Sequence, residues 1–203
     1  MPYPDLSPEE ISKRLQEAPS DVSDEFSRFP VDLFSQPPRQ AAVLIPFLID
    51  QGVWHVLFTR RTASLPEHSG QVAFPGGRAD TDDDSPSMTA LREAEEEIGV
   101  RLEHVKILGM LRRIRTISNY CVTPVVGSIP WPYPLRLASD EVSRAFTIPL
   151  AWLANPENHA IQLRALPAPY SPVPVIYFKH FDGELLWGVS AQIVLILLRA
   201  LRI

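Results

Sequence analysis

The chain has 203 residues, with 24 acidic and 19 basic side chains, a length that suits one domain with a substantial core. Its net charge of −5 argues against sequence-blind nucleic-acid binding, which needs a basic face. A single cysteine excludes an internal disulfide framework and a cysteine-cluster zinc site.

Residues 7–18 read as a helix, with Ser7 as N-cap, Pro8 in the first turn and Glu10 completing a capping box. Residues 19–38 hold several prolines and little periodicity, and read as an arm or loop. Two strand-like runs, 41–49 and 53–60, flank Asp50-Gln51-Gly52, a hairpin signal. A short strand at 71–74 stops at Pro75-Gly76-Gly77. The acidic loop 78–85 leads into a helix at 86–98, with Ser85 as N-cap, Pro86 at its start and Gly99 as its stop. Strands are expected at 105–111 and 120–128, and proline-rich breaks at 130–134 and 167–174. A short helix is expected at 148–153 and a hairpin at 175–181 and 184–187, turning at Asp182-Gly183. A strongly apolar helix closes the chain at 190–203 and covers either a sheet or an interface. The mixture predicts an α/β or α+β class, with a helix and arm over 1–37 leading into one domain over 38–203.

The N-terminal stretch has neither the basic region nor the apolar run of a signal peptide. The longest apolar run, 193–198, is far shorter than the ~20 residues of a membrane helix. A soluble, cytoplasmic protein with no membrane partner is expected.

Common nucleotide and hydrolase motifs are absent. There is no GxGxxG loop, no P-loop and no GxSxG elbow, and the five histidines show no HExxH spacing. Cys121 lies in an apolar run and reads as a core thiol.

The informative segment is Arg92-Glu93-Ala94-Glu95-Glu96-Glu97-Ile98-Gly99-Val100. On a helix, Glu93, Glu96 and Glu97 share one face, while Leu91, Ala94 and Ile98 gather on the opposite one. Glu95 falls near the apolar border, and Arg92 lies beside Glu96. Carboxylates on neighbouring turns repel one another. A hard divalent cation, Mg²⁺ or Mn²⁺, would relieve that repulsion and also bind phosphates. A solvated charge face is the plain alternative. Phe74-Pro75-Gly76-Gly77 runs into the acidic loop, and its glycines permit a close backbone approach that could aim a carbonyl at the same metal.

From Gly77 to Val100 the sequence resembles the Nudix box, a glycine, a variable acid and then R-E-U-x-E-E-x-G-U, where U is aliphatic. The usual box has one residue fewer between its glycine and arginine, and its first acid falls at Asp82 or Asp83. Leu57, Phe58, Thr59, Arg61, Thr62 and Gly70, followed by Phe74-Pro75-Gly76-Gly77, are similar to the signature of the subgroup that cleaves coenzyme A. Thr62 stands where Ser or Ala is usual and Pro66 where an arginine is usual. The likeness spans about residues 38–200.

The resemblance implies a Nudix α/β/α sandwich with a mixed central sheet. It implies metal-dependent hydrolysis of the coenzyme A diphosphate to 4′-phosphopantetheine and adenosine 3′,5′-bisphosphate. Alternatives are a Nudix hydrolase of ADP-ribose or dinucleotide polyphosphates, and a non-catalytic nucleotide-binding module. Glu93, Glu97, Glu96 and the Gly77 carbonyl are the implied metal ligands, with Arg92 fixing Glu96. Glu141 is the implied general base and Glu93 the fallback. Arg60, Arg61, Thr59, His68 and Gly76 are the expected substrate contacts. The aspartates at 80, 82, 83 and 84 read as a solvated loop. Trp131, Tyr133 and Tyr170 read as packing rather than as adenine-stacking residues. The partners expected are a small nucleotide-like substrate and a second copy of the chain, with no nucleic acid.

Overall fold

The computed structural model describes Tyr3 and residues 5–18, 34–63, 69–166 and 170–203. Most of the arm, and with it His68 and Pro66 of the expected substrate stretch, lies outside the described residues. Among the described residues, no helix is long and apolar enough to cross a membrane.

An eight-stranded mixed sheet forms the middle layer. Its centre is β1 (Arg39–Asp50), which runs antiparallel to β2 (Val53–Arg61) and parallel to β7 (Tyr120–Ser128). The Gln51-Gly52 turn joins β1 to β2 with φ of 47° and 78°. Two left-handed residues match the twist of the strands, so the hairpin signal is realised as a type I′-like turn. Short strands β3 (Val72–Ala73) and β4 (Gly76–Arg78) pair with β2 and β1. Strands β5 (Lys106–Met110) and β6 (Ile114–Arg115) pair with β7, and β8 (Val142–Pro149) pairs with β2.

Helices cover both faces. Before the sheet comes α1 (Pro8–Glu17), whose N-cap Ser7 Oγ accepts from the Glu10 amide. After β4 comes α2 (Pro86–Ile98), capped by Ser85 Oγ, which accepts from the Met88 amide, and stopped by Gly99 at φ 70°. Such an N-cap is worth about 1 kcal/mol. Ala90, Ala94 and Ile98 of α2 pack on Ala42, Leu44, Leu57 and Val125 of one sheet face. The opposite face carries Ile45, Phe47, Val56 and Phe58. Against it pack α1, α3 (Leu150–Ala154) and α4 (Gly188–Leu201). On the same side lies an antiparallel three-stranded sheet of β11 (Glu184–Trp187), β10 (Val173–Phe181) and β9 (His159–Arg164), which packs on α4 and whose β11 also meets β3. Thus α4 buries its apolar surface in this layer.

Four strands go beyond the sequence expectation: β4, β6, β8 and β9. The short helix near 148–153 shrinks to α3, because residues 142–149 extend along β2 instead. The acidic and apolar faces of α2 are also less separate than its helical wheel suggests. Ala90 is buried, Leu91 is only half-buried, and Glu97 sits inside the buried arc. Cys121 is partly exposed rather than a core thiol.

Candidate catalytic site

The site begins where β4 meets β1. The Leu44 amide donates to the Pro75 carbonyl over 2.8 Å, and Ala42 and Val43 stand opposite Gly77 and Gly76. A Cβ on Gly76 would lie 2.5 Å from the Ala42 carbonyl oxygen; one on Gly77 would lie 2.4 Å from the Glu93 carboxylate. The glycine pair is therefore squeezed between a strand on one side and a helix carboxylate on the other. Phe74 anchors the turn from below, its ring 4.7 Å from that of Phe58.

Glu97 points into this corner and is 4% exposed. Its Oε2 accepts from the Gly76 amide at 3.3 Å, and its Oε1 lies 3.6 Å from Arg61 Nη1. Burial pushes the Glu97 carboxyl up to about 8, with the charges of Glu93 and Glu141 adding and Arg61 opposing. Burial also raises the Glu93 carboxyl, against the pull of Arg92 and with Glu96 and Glu141 adding. Three carboxylates therefore feel one another beside a backbone that has no side chains of its own. Among the described residues, no three carboxylate, imidazole or thiol groups stand close enough to enclose an ion by themselves. The donors at hand are Glu93 and Glu97, hard oxygens with too little positive charge around them. That chemistry fits a divalent cation completed by water or phosphate.

Arg92 organises the outer side. Its Nε and Nη2 donate to the two carboxylate oxygens of Asp83 at 3.1 and 2.9 Å. Its Nη1 donates to Glu93 at 2.8 Å and to Glu96 at 3.2 Å, and Nη2 also reaches the Arg78 carbonyl. The expected Arg92–Glu96 pair is present, but Glu96 is 60% exposed and lies at the rim. Sequence reasoning missed Asp83 by placing it in a solvated loop. Its side chain is 4% exposed, and the guanidinium holds its carboxyl well below the usual carboxylate range. The alternative first acids of the box, Asp82 and Asp83, were the available signal.

Glu141 reaches the site through the backbone. The amides of Ala138 and Arg136 donate to the Glu97 and Ile98 carbonyls, which ties the loop before β8 to the end of α2. The Thr62 amide donates to the Glu141 carbonyl, and its hydroxyl to the Asp140 carbonyl, both at 2.9 Å.

The expected substrate contacts separate. Arg61 faces α2, and its Nε is buried without a hydrogen-bond partner. Arg60 faces the other way and meets the buried Glu184 of β11 at 3.5 Å, beside Arg144. Thr59 is 1% exposed, and its hydroxyl donates to the Ala73 carbonyl. It is thus a sheet contact and not a substrate contact. Trp131 and Tyr133 pack against the α2-side core, and the Tyr133 hydroxyl accepts from the Arg101 amide. A separate groove of about 410 Å³, lined in part by Trp54, His104, Lys106 and Trp131, lies toward the other end of β1.

The NUDIX domain profile matches residues 38–168. Proteins named "Uncharacterized Nudix hydrolase NudL" from Yersinia pestis (strain Pestoides F) and Yersinia pseudotuberculosis serotype O:1b (strain IP 31758) are 40% identical over 162 residues, 79% of this chain and 79% of theirs. A solved Caenorhabditis elegans Ap4A hydrolase binary complex is 21% identical with a TM-score of 0.48, over 55% of this chain and 80% of that one. Nudix hydrolases generally use divalent metal ions and act on nucleoside diphosphate derivatives. With its profile match, its close relatives and its mixed sheet between helices, the chain belongs to the Nudix hydrolase family.

Proposed function

We propose that this enzyme hydrolyses the diphosphate of coenzyme A or its derivatives in the cytoplasm, giving 4′-phosphopantetheine and adenosine 3′,5′-bisphosphate. The observation that carries metal-dependent diphosphate chemistry is the placement of the Glu93 and Glu97 carboxylates against the Gly76-Gly77 corner, with Arg61 opposite. The choice of coenzyme A rests on the residues from Leu57 to Gly77 that resemble that subgroup's signature.

Glu93, Glu97 and the Gly77 carbonyl would hold Mg²⁺ or Mn²⁺, with Glu96 at the rim as a further ligand. When bound, the ion neutralises diphosphate charge and lowers the pKa of a bound water. Glu141 takes the proton from the attacking water, with Glu93 as the fallback base. The water oxygen bonds to one phosphorus, the bridging P–O bond breaks, and the second phosphate leaves with that electron pair. Arg61 offers its guanidinium to the non-bridging oxygens. Arg92 keeps Glu93 and Glu96 in place through its anchor on Asp83.

The test is incubation with Mg²⁺ or Mn²⁺ and, separately, coenzyme A, ADP-ribose and a dinucleotide tetraphosphate, with products identified by mass. Coenzyme A should turn over fastest; faster cleavage of either other substrate overturns the subgroup assignment. Glu97→Gln should lose nearly all activity while keeping its circular dichroism, and wild-type-like rates would remove Glu97 from the site. Glu141→Gln should lose the acid limb of the pH–rate profile, and an unchanged profile removes it as base.

A further inference from the structure

Among the described residues, the three-stranded sheet ends in an edge without the usual guards. β9 is its outer strand, and among the described residues no strand pairs with that outer side. Six consecutive residues, His159 to Arg164, pair with β10 without a bulge. The free side therefore offers a regular row of N–H and C=O groups. Natural edges are blunted by charges, prolines or bulges. The one formal charge on β9, Arg164, lies back over the Trp187 ring, 5.7 Å from its centre. At the other end the His159 ring rests against Phe178. Between them Ile161 and Leu163 are 53% and 75% exposed, and alternation puts them on the same face.

We propose that β9 pairs antiparallel with β9 of a second copy of the chain, about a two-fold axis through Gln162. Two three-stranded sheets then join into one of six strands. Another strand would pair every group of this edge, and the side-chain pattern of β9 is complementary to its own copy. The axis at Gln162 sets Ile161 opposite Leu163 of the second copy, and Leu163 opposite its Ile161, all on one face. Gln162 meets its own counterpart on the other face. Shifting the axis by half a residue would place the aliphatic faces of the two copies on opposite sides of the sheet. A closed two-fold contact of this kind pairs one patch with itself and stops at two chains. The α2-side carboxylates lie outside it, so its test needs no activity.

Sedimentation velocity across the micromolar range should give the mass of two chains for the wild type. Leu163→Glu should shift the protein to one chain at the same concentrations, with unchanged circular dichroism, because that side chain is already exposed. In a Cys121→Ser background, Gln162→Cys should yield a covalent dimer with an oxidant or a short bifunctional thiol reagent, while Glu103→Cys should not. A wild type that stays a single chain throughout overturns the proposal. So does a dimer indifferent to Leu163→Glu, or cross-linking at Gln162→Cys no faster than at Glu103→Cys.

Discussion

Glu97 carries an electrostatic cost that the metal-free protein must bear. Its carboxyl has an ordinary value of 4.5 and rises to about 8 in the folded chain, chiefly through burial. Between those values the folded state holds a proton that the unfolded state has released. Stability therefore falls as pH rises through that window, and the effect is absent below it. The metal-free Glu97→Gln variant should then melt above the wild type at pH 8 and level with it near pH 4.5. A gain on the order of 1 kcal/mol corresponds to ~2–4 °C for a chain of this size. Thermal scans of both proteins across pH, with chelator, check this; parallel curves would show that Glu97 is not held protonated. Asp83 works with the opposite sign. Its carboxyl is lowered by Arg92, so its contribution is present above its ordinary value of 3.8 and fades as pH falls. Asp83→Asn should cost about 1–2 kcal/mol at neutral pH. It should also remove the charged anchor of Arg92, leaving it on Glu93, Glu96 and the Arg78 carbonyl. The metal concentration for half-maximal activity is then expected to rise several-fold, and an unchanged metal titration would reduce Asp83 to a stabilising role.

At the scale of elements, the glycine turn and α2 act as a pair, and two alanine substitutions separate their jobs. Gly76→Ala drives a Cβ to within 2.5 Å of the Ala42 backbone. Backbone in a central strand has nowhere to move, so this variant should lose stability by several degrees of melting temperature. Gly77→Ala meets only the end of the Glu93 side chain, at 2.4 Å, which can swing aside. That variant should fold normally and lose affinity for Mn²⁺, read by titration of activity. If both variants melt alike, the distinction fails. Local chemistry made much of this legible in the sequence. Ser85, Pro86 and Gly99 delimit α2 because caps act within a few residues. Asp182-Gly183 marks its hairpin because left-handed φ values of 51° and 79° favour such residues. The strand that follows Glu141 was not legible. β8 alternates exposed and buried residues and ends at a proline, and its extended state comes from pairing along β2. Arg60 and Arg61 both read as substrate contacts. Their side chains go to opposite faces of the sheet, where the pairing of β2 with β8 also shifts register. The opposite faces follow from strand alternation once β2 runs on through Arg61 rather than ending at Arg60; the register shift does not follow from spacing, because it depends on a partner strand some 80 residues away in the chain, as with Arg60 opposite Arg144.

For the molecule as a whole, the N-terminal helix reads in the sequence as an appendage to the domain, but its contacts make it a brace. Ile11 is fully buried and Leu15 nearly so, in the same core as α4 and the face of the sheet turned away from α2. A Cβ on Gly109 of β5 would come within 3.0 Å of Leu15, so the strand is thinned to seat the helix. The Trp54 indole donates to the Leu6 carbonyl at 2.7 Å, and Arg14 donates to the Leu201 carbonyl at the end of α4 at 2.8 Å. Removing residues 1–18 would expose apolar surface worth about 1.5–3 kcal/mol for each large aliphatic side chain. It would also strand the Trp54 donor. The truncated protein should therefore unfold at markedly lower urea. The catalytic corner lies across the sheet, under α2, and depends on none of these contacts. Well below the new midpoint, kcat and the metal requirement should stay within about twofold of the full chain, a difference of ~0.4 kcal/mol. A truncated protein of undiminished stability would make α1 a mere appendage. One that folds but does not turn over would show that the brace also shapes the corner.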